Sequence, residues 1–473
     1  MRARLACGLL ISASILAGCA VGPNFHAPAA PTSSGYGPGD PTWGLSGQTL
    51  NRGAAAPAEW WRAFGSPELD AMVQEALAAN PDLKSANAAL RQIRELLAAQ
   101  RSALLPSIDA GYQAQRARTS KALSPVLADP NATIYSLHTG QVEVSYVLDV
   151  FGGTRRAVEQ AAAQAEVQRF QYDAARQTLI ANVVVAAVLE AAAERQVHAA
   201  QAQAAALRDI LIFTKRQAEL GALGQADVAA AQTTLAQADQ AIPPLLKTLE
   251  QQRTTLAVLL GREAGGRPAP EIDLDSLALP KDLPVALPAQ LVRQRPDIRA
   301  AEANVHSASA AVGVATAARL PNITLSAAGG GASSNLQTLA SGGNGFWTLS
   351  AGVTQPIFQG GALLHRQKAA EAALDQAEDQ YRSTVLGALK NVSDVLTALW
   401  TDGEAWRAAE TADQAAQTSL TFSRRQLQLG QIGELAERGA EQAAAQASSA
   451  RIVAQAARYT DAVALFQALG GGW

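Results

Sequence analysis

The chain has 473 residues, 48% of them apolar and 17% charged, with a formal net charge of −3. A nearly neutral chain without a basic run excludes electrostatic capture of nucleic acid. Five scattered histidines and two cysteines make no usual metal cluster.

In chain order, residues 1–18 read as a signal peptide. Arg2 and Arg4 precede an apolar stretch from Leu5 to Leu16 that is too short to span a bilayer comfortably. Leu16-Ala17-Gly18-Cys19 resembles a bacterial lipobox. That form implies cleavage before Cys19 and lipidation of its thiol; the alternative is an ordinary signal peptide with an incidental cysteine. Each buried acyl CH₂ contributes about 0.8 kcal/mol, and stable anchoring takes more than one chain. Ala20, rather than Asp, follows the cysteine, which favours sorting to the outer membrane. Residues 19–66 are expected to be a lipid-anchored tether, rich in Gly, Pro, Ser and Ala up to the Trp60-Trp61 pair.

Residues 67–265 form a first repeat. A helix is expected from Pro67 to Leu104, broken after Asn80 because Pro81 suits a first turn. A strand pair follows within 107–151. Ile108, Ala110 and Tyr112 mark its weaker strand. In the other, at 140–151, Val142, Val144, Tyr146, Leu148 and Val150 alternate with Gln141, Glu143, Ser145, Val147 and Asp149. Thr154 to Glu219 contains neither Pro nor Gly, and a helix of that length would reach on the order of 100 Å. It breaks at Leu220-Gly221-Ala222-Leu223-Gly224 and returns as a helix to Leu260, with a kink or unwound section expected at Pro243-Pro244.

Residues 266–287 form a Pro-rich linker, and 288–473 repeat the pattern. Arg295-Pro296-Asp297-Ile298 answers Asn80-Pro81-Asp82-Leu83, and Leu320-Pro321-Asn322-Ile323 answers Leu105-Pro106-Ser107-Ile108. A strand pair is expected within 322–358, with Trp347, Leu349, Ala351, Val353 and Ile357 on one face. A helical hairpin over 361–470 breaks at Gly430-Gln431-Ile432-Gly433. The most apolar internal segment, Leu179 to Leu189, falls short of the ~20 residues of a transmembrane helix, so any membrane crossing must use strands. Four strands cannot enclose a pore when the smallest such barrels have eight. Either several chains pool their strands or the sheet packs against a helical core.

Several motifs in order resemble the TolC/OprM-type outer-membrane efflux lipoproteins of the NodT subgroup. They are Cys19-Ala20-Val21-Gly22-Pro23-Asn24-Phe25, Trp60-Trp61 with Phe64-Gly65-Ser66-Pro67-Glu68-Leu69, Arg295-Pro296-Asp297-Ile298-Arg299-Ala300-Ala301-Glu302, and Pro356-Ile357-Phe358 with Gly360-Gly361. The resemblance implies a mainly α chain with a membrane β-barrel. In that TolC-like homotrimer, four strands per chain would close a twelve-stranded barrel above a long α-helical periplasmic tunnel. It implies a passive, non-enzymatic duct in the outer membrane, with no cofactor beyond the lipid on Cys19. Its partners would be outer-membrane lipid, a periplasmic adapter and an inner-membrane transporter of the resistance-nodulation-division type. Its cargo would be small toxic compounds or drugs.

The hairpin tips, Leu220-Gly221-Ala222 and Leu429-Gly430-Gln431, match the small tip motif on which the adapter's hairpins are expected to seat; glycines there also serve as helix caps. Just past them, Asp227, Glu434, Glu437 and Glu441, with the basic neighbour Arg438, are the candidates for a periplasmic gate. Gly439 departs from the family, standing where an Asp is common, so the constriction is expected either to be less acidic than usual or to be set by Glu437 instead. Rival readings are a channel for type I protein secretion and a non-channel periplasmic coiled-coil lipoprotein. A hydrolase finds no activated Ser, His or Asp.

Overall fold

Prolines open the helices that follow turns at 66, 80, 287 and 295, because a first-turn residue needs no N–H bond. The computed structural model describes residues 20–33, 35–36, 47–118, 134–266 and 270–472. The expected signal peptide, Cys19 and the first strand-pair loop (119–133) lie outside them. In chain order the elements are β1 (Thr49–Arg52), a 3₁₀ turn (Trp60–Phe64), α1 (Pro67–Ala79), α2 (Pro81–Ser102), β2 (Ser107–Arg118), β3 (Ile134–Leu148), α3 (Gly153–Glu219) and α4 (Gln225–Leu259). Then come β4 (Asp282–Val285), α5 (Pro288–Gln294), α6 (Pro296–Ala317), β5 (Asn322–Ser333), β6 (Gly345–Thr354), α7 (Ala362–Gln428) and α8 (Glu434–Ala468). The duplication is visible in the lengths: α2 and α6 have 22 residues each, α3 and α7 67, α4 and α8 35.

The chain divides into two compact units, with boundaries inside α2, α3, α6 and α7. The first unit holds Arg91–Gln168, Ala301–Tyr381 and the described residues up to Pro28. Its sheet is antiparallel, in the order β2-β3-β5-β6. In-register rows such as Ile108–Val144–Ala327–Leu349, Ala110–Val142–Gly329–Trp347 and Leu148–Ile323–Val353 share one face. The opposite face carries Ser107–Ser145–Ser326–Ser350, Asp109–Glu143–Ala328–Thr348 and Asn322–Thr354. The apolar face is open, with Trp347 81% exposed. β2 and β6 are the edges, each bonded along one side alone among the described residues.

The residues just after Cys19 are clasped where β3 passes into α3. Val21 N–H donates to Phe151 O at 3.0 Å, and Arg156 donates to Val21 O (3.1 Å) and Asn24 Oδ1 (2.7 Å). Phe25 stacks on His306 at 4.4 Å, and that imidazole bonds Glu159 at 2.9 Å. Asp149 caps α3, accepting from the N–H groups of Thr154 and Arg155. Gly152, at φ +77°, has no room for a Cβ against Ala20.

The second unit holds Ala29–Leu90, Arg169–Ala300 and Arg382–Trp473. Its core gathers Trp60, Trp61, Phe64, Leu69, Met72 and Phe466, and Trp60 stacks on Phe466 at 5.1 Å. Such a pair is worth about 0.5–1.5 kcal/mol beyond its buried area. Each repeat ties down the last turn of its returning helix in an equivalent way. Asn80 Nδ2 donates to Leu259 O at 3.0 Å, and Arg295 Nη1 donates to Ala468 O at 2.8 Å. Glu75 takes a two-pronged bond from Arg262, both contacts at 2.6 Å.

Several expectations need correction. β3 starts at Ile134, not 140, because Tyr135, His138 and Gly140 blur the alternation there. Val150 and Ile357 lie beyond the strands. α4 runs unbroken through Pro243 and Pro244. Both prolines are exposed, as are Asp239 and Gln240, so water can take the carbonyls that lose an N–H partner. The tether contributes β1, which pairs in parallel with β4 of the linker. By length and composition α3 would suit a membrane crossing, yet 72% of its apolar window is buried in protein, as in a core helix.

Asp461 on α8 is pushed up to about 7 by burial and by the neighbouring Asp402 carboxyl. A carboxyl held above its unfolded value favours the protonated native state, so stability falls as pH rises from about 4 to about 7 and stays lowered above. Asp461→Asn should raise the melting temperature at pH 8 and leave it nearly unchanged at pH 4. Equal melting of both proteins at pH 8, followed by circular dichroism, would contradict this.

Candidate functional site

Both hairpins reverse through the same backbone device. At the first tip Gly221 sits at φ +76°, its N–H bonding Ala218 O at 3.0 Å while Ala222 N–H reaches back to Gln217 O at 2.8 Å. At the second, Gly430 sits at φ +70°, with Gly430 N–H on Leu427 O and Gln431 N–H on Gln426 O, each 2.9 Å. These are Schellman closures, which need a left-handed residue that glycine adopts without a Cβ penalty. Leu220 is 74% exposed and Leu429 58%, and Ala222 and Gln431 are exposed beside them. A Cβ at either glycine would meet open space. The tips therefore present two apolar side chains and bare backbone.

The acidic candidates separate into two groups. Asp227 is exposed and caps the start of α4, accepting from Gly224 N–H at 2.9 Å. Glu434 is exposed in the first turn of α8, where a carboxylate complements the helix dipole. Glu437, Arg438 and Glu441 come together one turn further on. Glu437 is only 6% exposed; Arg424 Nε donates to it at 3.3 Å and Arg438 Nε lies 3.6 Å from its other oxygen. Glu441 accepts from Arg424 at 3.3 Å and from Arg438 at 2.7 Å. Arg438 also reaches Asp209 on α3 at 3.5 Å. The Glu441 carboxylate holds the Arg438 guanidinium above its ordinary value.

Two of these partners, Asp209 and Arg424, are absent from the sequence-based candidates. Arg424 was accessible: it precedes Gly430 by nearly the distance at which Glu437 follows it, so an antiparallel hairpin sets them side by side. Asp209 sits on the other hairpin, and no local spacing points to it. The cluster, three carboxylates and two guanidiniums, can pin one hairpin to the other by charge. Gly439 is exposed with open space around it. Among the described residues, no group of His, Cys, Asp and Glu could hold a metal ion.

The family model for the outer membrane efflux protein matches residues 72–262 and 287–471, one match in each repeat. The chain belongs to the outer membrane efflux protein family. It is 31% identical over 474 residues to the antibiotic efflux pump outer membrane protein ArpC of Pseudomonas putida, covering 98% of this chain and 95% of that one. It is 30% identical over 452 residues to the pyoverdine export outer membrane protein OpmQ of Pseudomonas putida, covering 92% of each. Among solved structures, the open state of the Neisseria gonorrhoeae MtrE outer membrane channel superposes with a TM-score of 0.82 at 26% identity. That match covers 96% of this chain and 98% of the other. As an outer membrane efflux protein the chain has a TolC-like fold, resides in the outer membrane and is not an enzyme.

An alanine at Gly430 keeps the surrounding space but must hold a left-handed backbone, which costs about 1–2 kcal/mol. Gly430→Ala should speed exchange of the Gln431 amide hydrogen by about five- to thirty-fold, and Gly221→Ala should do the same for Ala222. Unchanged protection at both would show that the closures do not hold the tips.

Proposed function

We propose that this chain is the outer-membrane channel of a tripartite efflux pump, working as a passive trimeric duct. Three copies contribute four strands each to one barrel, and their long helices form the periplasmic tunnel. A periplasmic adapter seats on the tips at Leu220, Gly221, Ala222 and Leu429, Gly430, Gln431. An inner-membrane transporter of the resistance-nodulation-division type supplies the energy. The chain is lipidated at Cys19, and the clasp of residues 20–25 against the start of α3 keeps that anchor beside the membrane-facing sheet. The observation that carries the reading is the sheet itself: one apolar face, one polar face and two free edges, in a chain of this family. Small organic toxicants are the proposed cargo class, supported by relatives named for antibiotic efflux.

The gate is assigned to the Glu437–Arg438–Glu441 cluster, with Asp227 and Glu434 nearer the tips. Arg438 is the pin, since it alone of these candidates meets carboxylates of both hairpins. Purified protein in planar bilayers should conduct ions, and Arg438→Ala should raise its single-channel conductance several-fold and sensitise cells to large antibiotics. Conductance and antibiotic entry identical to the parent would remove the cluster from the gate. No conductance from intact trimers would remove the duct.

A further inference from the structure

The four charged Asp, Glu, Lys or Arg residues of the sheet are segregated by face. Asp109 and Glu143 stand opposite each other on the polar face. Arg116 and Arg118 lie on the same face as Ile108, Ala110 and Tyr112, the face that also holds Val142, Leu349 and Trp347. Both arginines are exposed, and neither has an ion-pair partner among the described residues. That face carries no acid in β2, β3, β5 or β6.

Their height is informative. From the row Leu148–Ile323–Val353 to Ser136, the partner of Arg116, is twelve residues along β3. At about 3.4 Å per residue and a tilt near 40°, that is about 30 Å along a membrane normal. The apolar rows occupy roughly the first 20 Å of this span. Next comes an amphipathic boundary, where Tyr112 Oη bonds His138 Nδ1 at 2.7 Å; such side chains favour the interface. Arg116 and Arg118 stand one to two rows beyond it, at headgroup level, on the end of the sheet opposite the attachment of α3.

We propose that Arg116 and Arg118 form an outward-facing site for the phosphate groups of the glycolipid in the outer leaflet. The orientation rests on the channel reading above, which puts the helices in the periplasm and this end of the strands outside. Paired guanidiniums suit phosphate oxygens, and each arginine near a lipid surface strengthens binding about fivefold. The occupant is a bisphosphorylated glycolipid, because the charge lies outside the apolar band and is uncompensated on that face.

Native mass spectrometry of the full lipoprotein in detergent, titrated with bisphosphorylated lipid A, its dephosphorylated form or phosphatidylglycerol, tests this. The parent should bind the bisphosphorylated lipid about thirty-fold more tightly than the Arg116→Ala/Arg118→Ala variant does, and the Arg116→Lys/Arg118→Lys variant should retain most of that affinity. The dephosphorylated lipid should bind parent and variant alike. Equal affinity of parent and alanine variant for the bisphosphorylated lipid would overturn the site, and equally tight phosphatidylglycerol would overturn the glycolipid as its occupant. Conductance should be the same in parent and variant. Its absence from both, with arginine-dependent lipid binding intact, would sink the channel and spare the site.

Discussion

The N–H and C=O groups along the free edges of β2 and β6 set the terms for the rest of the molecule. In hydrocarbon each unpaired backbone group costs several kcal/mol, so an open sheet cannot stand in a bilayer. The same strands carry an apolar face that water would not tolerate as an exposed patch, with Trp347, Leu349 and Val353 all uncovered. Lipid against that face and other strands against those edges satisfy both demands together. A barrel built by several chains is the arrangement that does so with only four strands apiece.

The helices show the same incompleteness. α7 leaves Leu386 and Phe422 well exposed along its length, whereas α3 buries Ile180, Val183, Val184 and Val188 fully. A helix of 67 residues that leaves such large apolar side chains uncovered needs partners along its flank. The duplication resolves the local problems twice in parallel. Glycines in the left-handed region close both tips, and Asn80 and Arg295 use different chemistry to hold the carbonyl ends of the returning helices. The repeats diverge just past the tips: the first carries a capping Asp227, and the second carries the buried Glu437 network.

Much of this was legible in the sequence because it rests on local rules. Pro81 and Pro296 mark helix starts, Gly221 and Gly430 mark reversals, and period-two alternation separates the sheet faces from Val142 to Leu148. What stayed hidden depends on tertiary placement. Nothing local says that Thr49–Arg52 of the tether adds a strand to the linker, or that Asp209 meets Arg438. Pro243-Pro244 read as a break because helix propensity ignores solvent, which can take up the freed carbonyls at an exposed face. The start of β3 is not marked in the sequence because Tyr135, His138 and Gly140 interrupt the alternation there.

The number of chains in the protein extracted intact from the outer membrane bears most directly on the free edges. Native mass spectrometry in a mild detergent should give three copies bound together and no stable single chain with an ordered sheet. A folded monomer that keeps β2 and β6 protected within its own structure would mean that the strands need no partners.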